Sequence, residues 1–117
     1  MRKTATDLSG LPLRLILAKN IRMARIDRGM SQEALAAQAG LDRAFVGTME
    51  RGARNISIDN VERLAEAVGL PAHDLLNPRL ATERGYDPTL NRAPRTVRPY
   101  AVERRKSAAG AKRKTQR

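Results

Sequence analysis

Cysteine and tryptophan are absent from the 117 residues, and histidine and phenylalanine occur once each. Without cysteine there is no disulfide scaffold, no thiolate metal site and no cysteine nucleophile. A lone His73 cannot make a histidine-rich metal site, nor does it leave the parts of a serine–histidine–aspartate arrangement. Apolar runs stop at four residues, as in Leu15-Ile16-Leu17-Ala18, far short of a membrane span. The stretch from Met1 to Pro12 has no apolar centre of the kind a signal peptide needs. No glycine-rich loop precedes a helix to hold phosphate, and no metal-binding constellation is visible. The expectation is a protein that is not an enzyme, with no cofactor, no metal and no membrane partner, working in the cytoplasm on the nucleoid.

Positive charge is what the chain has in excess, with a formal net of +11. It is unevenly placed. Residues 1–77 hold 11 basic and 9 acidic side chains, residues 78–117 hold 12 and 3. Apolar residues follow the opposite trend: they recur at helical spacing from Leu13 to Leu76, then become isolated among Pro88, Pro94 and Pro99. The division expected is an N-terminal arm at 1–11, a folded domain at 12–77 and a basic, largely disordered tail at 78–117. Within that tail, Arg104-Arg105-Lys106 and Lys112-Arg113-Lys114 are able to neutralise phosphates, or else serve only as a solubilising extension.

The folded part reads as five short helices and no strand, an all-α class. Pro12 suits a first helical turn, Leu13, Ile16, Leu17, Ile21 and Ala24 form an apolar face, and Gly29 closes the helix. Ser31 caps a second helix that buries Leu35, Ala36 and Ala39 before Gly40 stops it. Asp42 caps a third, with Val46 and Met49 inward and Gly52 at its end. Ser57 caps a fourth with Ile58, Val61, Leu64, Ala65 and Val68 on one side, and Pro71 opens a last short one carrying Leu75 and Leu76. Arg22 and Arg28 are expected as solvated surface.

The stretch from Gln32 to Arg51 is the most informative. Two helices crossing steeply over a short turn need a small residue at closest approach, met by Ala36, and a left-handed residue in the turn, met by Gly40. Leu41, Val46 and Met49 fill the angle between them, which leaves Asp42, Arg43, Ala44, Gly47 and Thr48 on the outer face of the third helix. The run SQEALAAQAGLDRAFVGTMERGARNISIDNVERLAEAVGL resembles the Xre-type, phage-repressor-like helix-turn-helix family. Its RAFVGTMERGARN part is most similar to small restriction–modification controller regulators. The resemblance spans roughly residues 13–76 and implies a five-helix DNA-binding domain, usually dimeric on a palindromic operator. Ile56 departs from it, standing where many relatives have proline, so a looser loop is expected there.

Arg43 is the first candidate for base readout, because a guanidinium at the start of a recognition helix can grip guanine O6 and N7 together; a phosphate contact or a solvated arginine is the alternative. Ala44 and Thr48 on the same face are candidates for a thymine methyl, with tolerated surface as the other reading. The resemblance implies a phosphate contact for Gln32 through its side chain and amide. It also lays Arg51, Arg54 and Asn55 along the sugar-phosphate backbone, and joins Arg25 to Glu50 by a structural salt bridge. Leu70, Leu75 and Leu76 exceed the needs of one short helix, and the resemblance implies a dimer seam for them; filling the monomer core is the alternative. Together these features point to a sequence-specific regulator that binds double-stranded DNA as a homodimer on an inverted repeat. A protein-binding adaptor or antitoxin-like partner, or a nonspecific nucleic-acid binder driven by the tail, are the competing readings.

Overall fold

A computed structural model describes residues 7–90 of the chain. Five α-helices follow in order: α1 Leu13–Asp27, α2 Gln32–Ala39, α3 Arg43–Glu50, α4 Ile58–Val68 and α5 Leu80–Arg84, with a 3-10 turn at Ala72–Leu76 between the last two. No strand occurs among the described residues. Local chemistry sets most of these boundaries. The Ser31 hydroxyl accepts from the Ala34 N–H at 2.9 Å and the Ser57 hydroxyl from the Asn60 N–H at 3.1 Å, each satisfying a donor that the first helical turn leaves over. Asp42 occupies the N-cap position of α3, but its side chain makes no capping hydrogen bond, so its role there is limited to charge near the positive helix end.

The core is one layer of packed helices. Ile21 of α1, Leu35 of α2, Val46 of α3, Leu64 of α4 and Leu75 of the 3-10 turn are completely buried and share one cluster. Burying an aliphatic side chain of this size stabilises by about 1.5–3 kcal/mol, so these few residues carry much of the fold. Two residues expected on inward faces are turned out instead. Leu13 is 57 % exposed and Ile58 79 %, each at the first position of its helix.

Leu70 and Leu75, expected at a dimer seam, are buried in the core of a single chain. Leu76 alone of the three keeps part of its surface. The reason lies in the 3-10 turn: Asn20 of α1, itself fully buried, donates from Nδ2 to the carbonyls of Leu75 and Asn77, both at 2.9 Å. That tether draws the turn against α1 and Leu75 with it.

The packed region also reaches past both expected ends. Leu8, Ile16, Met23 and Ala81 make a second small cluster, with Leu11 and Tyr86 against it, and the Leu8 N–H donates to the Pro78 carbonyl at 2.9 Å. Leu80, placed beyond the domain by the sequence reading, is buried in the main core. Two apolar residues in a five-residue helix show no period, which is why the hydrophobic pattern of the sequence ends at Leu76. The paired basic triplets at 104–106 and 112–114 and the start of the arm lie outside the described residues.

Candidate nucleic-acid interface

The α2–turn–α3 unit is held from inside. Gly40 takes a left-handed φ of 73° and the Leu41 N–H returns to the Ala36 carbonyl at 2.8 Å, closing α2 and reversing the chain in very few residues. Ala36 is buried where α2 meets the rest, and Val46 and Met49 bury the inner side of α3.

A polar clamp fixes the far end of α3. Arg25 donates from Nε to Glu50 Oε2 at 2.7 Å and from Nη2 to Glu50 Oε1 at 3.0 Å, and its Nη1 donates to the Met30 carbonyl at 2.8 Å. Gln32, the first residue of α2, donates from Nε2 to the same Glu50 Oε1 at 3.1 Å. One carboxylate thus ties α1, α2 and α3 together. The salt bridge between Arg25 and Glu50 is as the resemblance implied. Gln32 is placed differently: its side-chain amide is engaged within the protein, and only its backbone N–H, at the helix start, lacks an intrahelical acceptor. Beside the clamp, Leu15 of α1 packs on Gly52, where an added Cβ would lie 2.0 Å from Leu15 Cδ2.

The outer face of α3 is left open. Asp42, Arg43 and Ala44 are exposed, and Gly47 and Thr48 half-buried. The Arg43 side chain has 60 % of its surface free and its Nε stands 3.7 Å from Glu33 Oε2, an exposed pair worth at most about 1 kcal/mol and readily exchanged for another acceptor. The Thr48 hydroxyl donates to the Ala44 carbonyl at 2.8 Å, which uses its one hydrogen and leaves its oxygen lone pairs and methyl for a neighbour. The strip continues into exposed Arg51, Arg54 and Asn55 after the helix. Arg54 is not loose: its guanidinium carbon lies 4.6 Å from the centre of the Phe45 ring, a cation–π contact that fixes where the charge sits. Ile56, where a looser loop was expected, packs against the main core and anchors this segment.

Three polar side chains have structural roles that the sequence analysis did not give them. Arg28 is buried, with its guanidinium against Gly69 at the end of α4. Arg22 donates to the Leu90 carbonyl. Arg28 is therefore not solvated surface, and the half-buried Arg22 reaches a segment distant in sequence. Asn20 had a usable signal: it stands among Ile16, Leu17 and Ile21 on an otherwise apolar helix, and a polar residue there needs buried partners.

A helix-turn-helix family model matches residues 21–75. A hypothetical transcription factor of Neisseria meningitidis is 48 % identical over 66 residues, 56 % of this chain and 62 % of that protein, so the chain spans somewhat under two thirds of that relative. Control protein C.BamHI of Bacillus amyloliquefaciens is 39 % identical over 66 residues, 56 % of this chain and 82 % of the relative. Among solved structures, the restriction-modification controller protein C.AhdI of Aeromonas hydrophila aligns with a TM-score of 0.52 at 40 % identity, over 53 % of this chain and 94 % of that one. The crystal structure of the Neisseria factor NHTF aligns with a TM-score of 0.58 at 44 % identity, over 62 % and 84 %. With the α2–turn–α3 geometry, these likenesses place the chain in the Xre-type helix-turn-helix family of DNA-binding transcription regulators.

Proposed function

We propose that the chain regulates transcription by reading a double-stranded operator in sequence, as a homodimer on an inverted repeat. Each α3 enters a major groove, with half-sites about 34 Å apart along the duplex. The observation that carries this reading is the asymmetry of α3. Its inner side and its C-terminal end are immobilised by Val46, Met49 and the Arg25–Glu50–Gln32 clamp. Its outer side presents Arg43, Ala44 and Thr48 to solvent.

In this reading Arg43 contacts guanine, Ala44 and Thr48 meet thymine methyls, and Arg51, Arg54 and Asn55 lie along phosphates. Gln32 adds its backbone N–H to the same strand while its side chain braces Glu50. Leu76 and the exposed Ile58 offer apolar surface to a partner subunit. The setting is the cytoplasm, on the nucleoid, with no catalytic step and occupancy governed by protein concentration.

Selection of bound duplexes from a random-sequence pool tests it. A palindromic consensus that flattens at one position in the Arg43→Ala variant is the expected result. A flat profile from the parent chain, or an unchanged consensus from Arg43→Ala, overturns the readout.

A further inference from the structure

Three arginines stand in the interface, and one of them differs from the others. Arg51 and Arg54, after α3, are exposed, and neither makes an ion pair among the described residues. Arg54 leans on the Phe45 ring instead. Arg43, at the first position of α3, does meet a carboxylate: its Nε lies 3.7 Å from Glu33 Oε2. The partner is not Asp42, its neighbour in the chain, but a residue of α2 that the turn at Gly40 brings alongside.

The side of Arg43 that Glu33 occupies matters. A guanine edge takes two parallel N–H bonds from a pair of guanidinium nitrogens. The carboxylate stands off Nε, so Nη1 and Nη2 at the far end of the planar group remain for O6 and N7. At 3.7 Å the contact is an ion pair, longer than a hydrogen bond, and both side chains keep more than half their surface in solvent. Nothing in the pair has to break for a base edge to be gripped.

The same carboxylate treats a phosphate differently. A guanine edge is neutral, whereas a phosphate carries a full negative charge, and one brought to Arg43 also approaches Glu33. Repulsion between the two then offsets part of what the arginine contributes. Helix polarity explains an acid in the first turn of α2, but not its reach to the first residue of α3.

We propose that Glu33 is a specificity-determining residue of this interface. It holds Arg43 by Nε so that the end of the guanidinium faces a guanine, and it disfavours capture of Arg43 by the phosphates of other DNA. It acts through Arg43 and touches no base itself, so the proposal rests on the reading of α3 given above. Arg51 and Arg54, with no such carboxylate, bind phosphate wherever they meet it. Part of the selectivity thus comes from an acid on the helix that stays outside the groove.

The test is a double-variant cycle on the full chain: parent, Glu33→Gln, Arg43→Ala and the two combined. Each is bound at low salt to the duplex that the parent selects from a random pool, and to a random-sequence duplex of equal length. Glu33→Gln is expected to bind the random duplex about twofold to fivefold more tightly and the selected duplex no more tightly than the parent, so that the ratio falls. Added to Arg43→Ala, the same change should leave the ratio where it was, since no guanidinium is left to orient. Equal tightening on both duplexes overturns the proposal, because Glu33 is then one more negative charge. The same fall in ratio without Arg43 overturns it too, because Glu33 then reads DNA by itself.

The pair is also observable without DNA. The Arg43 Nε–H resonance, assigned by its loss in Arg43→Ala, should move in Glu33→Gln while the melting temperature changes little. A resonance that stays in place overturns the pairing. Failure of the α3 reading looks different: Arg43→Ala alone would keep the parent's ratio, or the parent would select no duplex, and either result removes base readout by Arg43 and this proposal with it.

Discussion

Arg25 and Glu50, 25 residues apart in sequence, meet in a two-pronged ion pair whose side chains are only 5 % and 3 % exposed. The pair is what makes the end of α3 a fixed point, since the same carboxylate also takes the Gln32 amide. Removing one partner strands the other charge away from water. Glu50→Ala should cost about 3–5 kcal/mol in urea unfolding. The double variant Arg25→Met with Glu50→Leu should recover most of that loss, because no buried charge is then left unmatched. A loss under 1 kcal/mol for Glu50→Ala would show that water reaches the pair.

Two glycines should respond to alanine in opposite directions. Gly69 has a φ of +75°, and an added Cβ would fall 1.9 Å from Arg28 Nη2, so both backbone and packing resist the change and Gly69→Ala should lower the melting temperature. Gly47 lies inside α3, where a Cβ would meet only Gln32 Oε1 at 3.7 Å and Arg51 Nη1 at 3.9 Å, ordinary contact distances. Gly47→Ala should stabilise by about 0.5–1 kcal/mol, seen as a melting temperature a few degrees higher.

Leu75 and Ile58 separate core from surface. Leu75→Ala removes a fully buried side chain and should cost about 2–5 kcal/mol. Ile58→Ser changes a residue that is 79 % exposed and should stay within about 0.5 kcal/mol in the monomer. Sedimentation of the same variant reports whether Ile58 belongs to the surface between two copies: a shift toward the monomer is expected.

Arg43 and Arg51 should fail differently on DNA. Arg43→Ala should cost about 1–3 kcal/mol on the selected duplex and little on random sequence. Arg51→Ala should weaken both alike and lower the salt slope by about 1. Equal behaviour of the two variants in competition titrations would remove the distinction between base and phosphate contacts.

Asp87 gives a pH prediction. The Thr89 hydroxyl, and after it the Thr89 N–H, hold its carboxyl below the ordinary carboxylate value. A depressed folded value means that the contribution of this turn is present above the unfolded carboxylate's midpoint and fades as pH falls through the lowered one. Carboxyl resonances followed by NMR should show Asp87 titrating low in the parent chain and rising in Thr89→Val, which removes the hydroxyl and keeps the backbone N–H that still lowers it.

Much of this protein is local chemistry written directly into the chain. Ser31 and Ser57 cap the helices that follow them, Gly40 turns between α2 and α3, and the apolar spacing of Leu35, Val46, Met49 and Leu64 chooses the inward faces. Those signals act within a few residues, so spacing alone exposes them, and with them the outward face of α3. The basic surplus at the C-terminal end is equally plain in the composition.

What no spacing could announce are the choices made between distant segments. Leu75 is buried in one chain where Asn20 holds its carbonyl and that of Asn77, both more than fifty residues away. The turn of Gln32 toward Glu50, the seat of Arg28 against Gly69 and the capture of Leu90 by Arg22 likewise join parts of the chain that meet only after folding. An arginine reads the same in sequence whether it faces solvent or a carbonyl. Its partner is decided by which helices the core brings together, and so the reach of the folded unit belongs to the tertiary structure alone.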